Sequence, residues 1–365
     1  MSAARPIALV RRGYSPTGGA EKFLGRFAAA ARDHGHEVLL VNDRPWPREA
    51  CGGVAQRTLP ARGPWEFARA VAHWRGTWPD GLVFSLERLF SADCYRAGDG
   101  VLAAWLQRRA VYDPGWESRL RSFLPKQRRM RQLEQHCFAA CDTGAVIVNS
   151  NMVAREIAAY SDYPSDRVHL VRNAVPDDFA AGVPARDEAR RRLGLPEDRF
   201  IAAFIGTGWK RKGLRFAASA LRRARLPGAV LAVAGRGPER RHRAPGVAFL
   251  GPQKDVRPLL AAADVFILPT VYDPFSNACL EALALGRPVI TTAANGCAEI
   301  LEEGVTGSVA GEPHDVATLA AALHYWAEGG RAAEAEASCR AAAGRFTLAD
   351  NVRRTMEILE CTRTA

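Results

Sequence analysis

The sequence predicts an α/β protein of two domains, each an open parallel sheet flanked by helices. Three observations carry this. A chain of 365 residues exceeds what one hydrophobic core usually serves. Short apolar runs of strand length alternate with amphipathic segments of helical period along both halves, as βαβ construction requires. Between the halves, Asn173–Arg199 is rich in Pro, Asp, Arg and Ala, a composition shift that marks a domain boundary.

Composition narrows the class of function. Hydrophobic content of 48% and charged content of 24% are ordinary for a soluble globular chain. No apolar run has the length of a membrane span. The opening stretch MSAARPIALVRRGYSP is too short in apolar residues for a signal peptide, so cytoplasmic residence is expected. Eight cysteines (51, 94, 137, 141, 279, 297, 339, 361) form no CxxC pair and no zinc spacing, so no metal is expected and buried free thiols are. The net charge of +11, from 45 Arg and 5 Lys against 39 acids, favours anionic partners. No zinc finger, RNA-binding aromatic signature or helix-turn-helix pattern accompanies it, so nucleic acid is not expected.

In the first half, Pro6–Val10 reads as a strand. Gly13, Gly18 and Gly19 follow in a loop, and Ala20–His34 is an amphipathic helix with Phe23, Leu24, Phe27, Ala30 and Ala31 on one face. A strand leading through Gly-Gly into a helix is a placement for phosphate contact. The run is not GxGxxG, and no acid plays the ribose role after the second strand, which disfavours a dinucleotide dehydrogenase. Strands follow at His36–Val41, Val54–Leu59 and Leu82–Ser85, with a helix at Trp65–Trp74. ERLFSADCYRAGDG reads as a loop that turns Asp93 and Asp99 toward the ligand side. Residues 96–131 carry nine Arg/Lys against three acids (Asp99, Asp113, Glu117), interleaved with Trp105, Tyr112, Trp116 and Phe123. That mixture suits either a solvated helical face or a peripheral contact with an acidic membrane surface. Gln132–Cys141 continues the helical pattern, Ala145–Val148 is a strand, Asn149-Ser150 caps a helix to Tyr160, and Arg167–Val171 closes the sheet.

In the second half, Phe200–Ile205 is a strand that ends in GTGWKRKGLRF, with a helix onward to Arg225. Lys210, Arg211 and Lys212 stand directly beyond the strand end. Arg can grip phosphate bidentately and Lys adds a compact charge beside it, so the pair could neutralise a leaving diphosphate. Strands at Val230–Ala234 and Val247–Leu250 and a short helix at Asp255–Ala262 lead to DVFILPTVYDPFSNACLEALALGRPVI, Asp264 to Ile290. Here Val265–Pro269 is a strand, Asp273-Pro274 a turn, and Ser276–Leu285 a helix stopped by Gly286 and Pro288. The loop therefore lies at the carboxyl end of a parallel strand, where open α/β sheets bind ligands. Free amides at a helix start accept a pyrophosphate, and a carboxylate takes paired sugar hydroxyls, so Asp273 and Glu281 suit a nucleotide-linked sugar. Val289–Thr291 and Gly307–Ala310 are further strands; Asp315–Trp326 and Leu348–Leu359 are helices.

The motifs together resemble those of the GT-B glycosyltransferases of family 4, and most of all the bacterial lipopolysaccharide-core glucosyltransferases. The matching residues are Arg211-Lys212-Gly213, the Gly-x-Gly-Pro at Gly235, the acid-x7-Glu of Asp273 and Glu281, Gly18-Gly19, and Tyr-Arg-Ala-Gly-Asp-Gly at Tyr95–Gly100. The resemblance implies two Rossmann-like domains facing across a cleft: residues 1–175 for the acceptor, 176–345 for the nucleotide sugar, with a helix at 346–365 packed back on the first. It implies that Arg211 and Lys212 hold the donor diphosphate and that Glu281 takes ribose hydroxyls. Asp273, with the amides near Phe275 and Ser276, would contact the transferred sugar. Gly208 and Asn277 would complete the donor side, and Gly18 and Gly19 would approach the diphosphate. Asp99 would position the acceptor, with Asp93 and Tyr95 beside it. The implied reaction is metal-independent transfer, with retention, of a hexose from a nucleoside-diphosphate sugar such as UDP-glucose to a lipopolysaccharide-core, other lipid-linked or oligosaccharide acceptor, at the inner face of the membrane. No cofactor is implied. The family's first motif acid is usually Glu; Asp273 is shorter by one C–C bond, about 1.5 Å. The alternatives are a GT-B-shaped sugar-nucleotide epimerase, for which no histidine cluster stands near Asp273, and a non-catalytic binder of sugar nucleotides or membrane surfaces.

Overall fold

The computed structural model describes residues 5–14, 19–113 and 124–362. Gly18 and, in the basic stretch, Trp116, Glu117, Arg119, Arg121 and Phe123 lie outside them. The chain divides into two compact units, Met1–Arg172 with Ala349–Ala365, and Asn173–Leu348.

The first unit is a seven-stranded parallel sheet in the order β3-β2-β1-β4-β5-β6-β7. Its strands are β1 Ile7–Val10, β2 Val38–Asn42, β3 Ala55–Thr58, β4 Leu82–Ser85, β5 Ala92–Arg96, β6 Thr143–Val148 and β7 Val168–Leu170. The central strands are near-continuous apolar runs because helices cover both faces of a parallel sheet. Its helices are α1 Gly19–Asp33, α2 Pro64–Arg75, α3 Leu102–Tyr112, α4 Pro125–Cys137 and α5 Asn151–Tyr160. Phe67 and Val71 of α2 and Leu133 of α4 pack with Ala8, Val10, Val41 and Val83 of the sheet in one core cluster. Ser150 caps α5 by accepting from the Val153 amide.

One expectation is corrected here. Asp93 and Tyr95 do not lie in a loop; they belong to β5, which pairs with β4 (Phe84 opposite Cys94) and β6 (Ala92 opposite Thr143). The polar letters of Ala-Asp-Cys-Tyr-Arg conceal an interior strand because each has its own partner inside. The Asp93 carboxylate accepts from the Val83 amide at 2.6 Å and from Arg75 at 2.9 Å. The Arg96 guanidinium lies over the Phe23 ring, 4.4 Å from its centroid, and burial lowers its pKa to about 10. Arg96 therefore does not belong to an outward basic face.

The second unit is a six-stranded parallel sheet in the order β10-β9-β8-β11-β12-β13. It comprises β8 Ile201–Ile205, β9 Val230–Ala234, β10 Val247–Gly251, β11 Val265–Leu268, β12 Val289–Thr292 and β13 Gly307–Ala310. Its helices are α6 Arg186–Leu193, α7 Trp209–Lys212, α8 Leu214–Ala224, α9 Arg257–Ala262, α10 Asn277–Ala284, α11 Val316–Ala327, α12 Arg331–Glu334 and α13 Glu336–Gly344. The boundary stretch contains α6, which composition alone did not suggest. Beside Ala189 it buries an arginine: Arg190 is 2% exposed and donates to the carbonyls of Ala262 and Glu197 and to Asp264.

A last helix, α14 Leu348–Cys361, supplies the second segment of the first unit. Val352, Met356 and Leu359 are its buried apolar residues. Asn351 donates to the Arg172 carbonyl, and Glu360 meets His36 at 3.1 Å. Thr362 closes over Gly144, where a Cβ would stand 2.5 Å from the Thr362 methyl and 2.7 Å from the Asp93 carbonyl.

Candidate active site

In the second sheet the strand order reverses between β8 and β11, and their carboxyl ends are where ligands of open α/β sheets sit. Beyond β8 the chain turns through Gly208, whose φ of +69° suits glycine, into α7. Trp209 anchors that short helix. It is 2% exposed, donates its indole N–H to the Gly206 carbonyl at 2.9 Å, and packs 5.4 Å from the Phe249 ring. Lys210 is exposed, whereas Arg211 and Lys212 are half-buried.

Gly213 then allows a close approach to the end of β11. Its φ is +80°, and a Cβ there would stand 1.8 Å from the Pro269 carbonyl oxygen. The approach brings the two cations onto the loop that follows β11. The Arg211 carbonyl accepts from the Val271 amide at 2.8 Å, and its guanidinium donates to the Tyr272 carbonyl at 3.0 Å. Lys212 Nζ forms an ion pair with Asp273 Oδ2, both side chains being largely buried. Arg211, Lys212 and Asp273 are thus brought together although 61 residues separate the paired lysine and aspartate.

Asp273 leads through Phe275 to Ser276, the N-cap of α10. This helix buries Cys279, Leu280, Ala282 and Leu283, while Glu281 on its second turn is half-buried. The expectation for Ser276 needs a correction: its amide already donates to Asn295 Oδ1 at 3.2 Å, so it is engaged within the protein. Asn277 and the Phe275 carbonyl both accept from the Asn173 side-chain amide, at 2.6 and 3.4 Å.

The carboxyl ends of the first sheet hold a second charged cluster, again where the strand order reverses, between β1 and β4. Arg11, just beyond β1, pairs with Glu87, just beyond β4, at 3.0 Å and with Glu21 of α1 at 3.3 Å. Arg12 pairs with Asp43 at 3.0 Å, and Asp43 also accepts from the Gly13 amide at 2.7 Å. Burial raises the pKa of Glu87 against the pull of Arg11. Burial alone would lower that of Arg11, but Glu87, Glu21 and Asp99 hold it above its ordinary value. Asp99 is exposed in the turn after β5, within electrostatic reach of this cluster. Asp93 is not brought here: it sits at the amino end of β5, and Tyr95 is 2% exposed inside the sheet, its hydroxyl pKa pushed well up by burial. Sequence reasoning missed Arg11, Glu21 and Glu87; the available signal was charge immediately after two strands. Gly19 opens α1, and among the described residues no group of three His, Cys, Asp or Glu side chains is arranged to hold a metal ion.

Two parallel α/β units, with Arg211 and Lys212 held against the Asp273 loop at a strand-order reversal, define a two-domain α/β class with a charged strand-end site. A family model described as Glycosyltransferase Family 4 matches residues 17–179, and one described as Glycosyl transferases group 1 matches residues 199–328. The chain belongs to the family 4 glycosyltransferases of GT-B fold. It is 26% identical over 306 residues to the lipopolysaccharide core biosynthesis glycosyltransferase LpsE of Rhizobium meliloti, covering 80% of this chain and 81% of that protein. To the lipopolysaccharide glucosyltransferase WaaG of Escherichia coli it is 24% identical over 324 residues, covering 82% and 83%. The fold matches the crystal structure of WaaG with a TM-score of 0.82 at 21% identity, over 97% of this chain and all of that one. It matches Anabaena HepE in complex with UDP and glucose with a TM-score of 0.76 at 18% identity, over 98% and 100%.

Proposed function

We propose that this glycosyltransferase moves a hexose from a nucleoside-diphosphate sugar of the UDP-glucose type to a lipopolysaccharide-core or other lipid-linked saccharide, with retention of configuration and without a metal ion. The observation that carries the reading is the convergence of Arg211 and Lys212 on the Asp273 loop at the strand-order reversal. Cations fixed in place before the reaction stabilise charge as it develops on the departing diphosphate, and they do so best where water is scarce. Asp273 takes hydroxyls of the transferred sugar and Glu281 those of the ribose. The glycosidic C–O bond to phosphate breaks while the acceptor oxygen bonds to the same face of the sugar carbon, and the departing phosphate oxygen receives the acceptor's proton. No side chain need serve as general base. Asp99 and the Arg11 cluster orient the acceptor. The relatives' names support the saccharide class, and HepE was captured with UDP and glucose.

A melting screen with UDP-, GDP- and ADP-sugars tests the donor, because a ligand bound only by the native state raises the melting temperature. UDP-glucose is expected to raise it and to be turned over, as followed by release of labelled sugar. Absence of stabilisation by every sugar nucleotide would remove the reading.

The reading includes a contact with the cytoplasmic face of an acidic membrane, made through the basic residues of α4. Among the described residues no helix is long and apolar enough to cross a membrane. Lys126, Arg128, Arg129 and Arg131 of α4 are exposed, and Leu124 and Val111 are exposed by 50% and 71%. Each basic group near an anionic surface contributes about 1 kcal/mol, screened by salt. Flotation with acidic liposomes is expected at low salt and lost at high salt; equal recovery with neutral liposomes would refute the contact.

A further inference from the structure

We infer that Asn295, in the loop after β12, is the positioning residue that sets Asp273 and the start of α10 in their working geometry. This rests on the reading of Asp273 as a contact to the donor sugar. The residue lies 22 positions beyond the acid it serves and carries no chemistry of its own.

Asn295 is 1% exposed, and its carboxamide is saturated. Its Oδ1 accepts from the amides of Ser276 at 3.2 Å and Cys297 at 3.1 Å. Its Nδ2 donates to Thr291 Oγ1 at 2.9 Å and to Cys279 Sγ at 3.3 Å. An Asn side chain offers two lone pairs and two N–H groups, and all four are used. The orientation of the amide is fixed by the surroundings. Thr291 gives its own hydroxyl proton to the Leu268 carbonyl at 2.8 Å, so it can only accept from Asn295.

The main chain on either side of Asn295 grips Asp273 directly. The Asp273 amide donates to the Ala294 carbonyl and the Gly296 amide to the Asp273 carbonyl, each at 2.9 Å. One residue therefore fixes the 273–276 segment at both ends: Asp273 through its backbone neighbours, Ser276 through its side chain. Its amide hydrogens tie the assembly down to β12 and to α10. Aspartate would keep the oxygen that accepts from Ser276 and Cys297 but lose both N–H groups given to Thr291 and Cys279. Misplacing a contact group by an ångström can cost of the order of 10²-fold in rate.

The test is calorimetric binding of UDP and of UDP-glucose to wild type, Asn295→Ala, Asp273→Ala and the double variant. A group that positions the sugar contact affects UDP-glucose and spares UDP. Asn295→Ala is expected to weaken UDP-glucose by about tenfold while UDP stays within about twofold, and the double variant to equal Asp273→Ala, since residues acting through one contact are not additive. Equal weakening of both ligands, or of neither, in folded Asn295→Ala overturns the inference. Should Asn295→Ala fail to fold, Thr291→Val serves, with about a threefold loss for UDP-glucose alone; no loss there overturns it. If Asp273→Ala itself leaves UDP-glucose binding intact, the sugar-contact reading falls as well; if Asp273→Ala weakens it and Asn295→Ala does not, only the inference falls.

Discussion

Lys212→Ala is expected to turn over its sugar nucleotide about 10²–10³ times more slowly than wild type, the loss typical of removing one fixed electrostatic stabiliser. Two losses combine in that figure. On the proposed reading the diphosphate forfeits a cation held half-buried at the strand end, and Asp273 forfeits its ion-pair partner. Removing one member of a largely buried ion pair leaves the other charge uncompensated, so a fall in melting temperature accompanies the kinetic effect. Arg211→Ala is expected to lose similar rate with less stability, because its guanidinium donates to a neutral carbonyl, that of Tyr272. The measurement is release of UDP from labelled UDP-glucose at saturating donor, with folding checked by circular dichroism. Unchanged rates in both variants would remove these residues from the mechanism.

The second large effect is on stability. Gly213→Ala must place a Cβ 1.8 Å from the Pro269 carbonyl oxygen, at a φ of +80°. The left-handed backbone alone costs roughly 1–2 kcal/mol, and the overlap must be relieved by moving the β11 loop. A total of about 3 kcal/mol or more is expected, which for a unit of this size lowers the melting temperature by roughly 6–12 °C. Gly208→Ala is the internal control. It has a φ of +69° but nothing within 4 Å of the added methyl, so it should cost only the backbone share, about 1 kcal/mol. Equal melting of the two variants would show that the Gly213 approach is not tight. Activity should also fall in Gly213→Ala, because the displaced loop carries Asp273.

The strands Ile-Ala-Leu-Val, Ile-Ala-Ala-Phe-Ile, Val-Leu-Ala-Val-Ala and Val-Phe-Ile-Leu were legible because a sheet covered on both faces demands unbroken apolar runs. Where polar residues do the burying, the same logic failed. Strand β5 reads as loop because Asp93 and Arg96 are satisfied by Val83, Arg75 and the Phe23 ring, none of them neighbours in sequence. Helix α6 reads as linker because its inward residues are Ala189 and Arg190, and burial pulls the pKa of Arg190 down to about 10. The gathering of Arg211, Lys212 and Asp273 could be foreseen from strand-end placement. The contacts of Asn295 could not, since they are hydrogen bonds to residues 4, 16 and 19 positions away. The Arg11–Glu87 pair, 76 residues apart, was equally silent.

The helix Leu348–Cys361 gives the first unit a discontinuous chain, and this sets an order for events on the ribosome. Domains fold as units as they emerge. Residues 173–348 are all available before translation supplies the segment that carries Met356 and Leu359. The earlier sheet must therefore wait, its seat for those side chains wet, until the end of the chain emerges. A chain truncated after residue 348 should hold a protease-resistant second unit beside a first unit that is still readily cut.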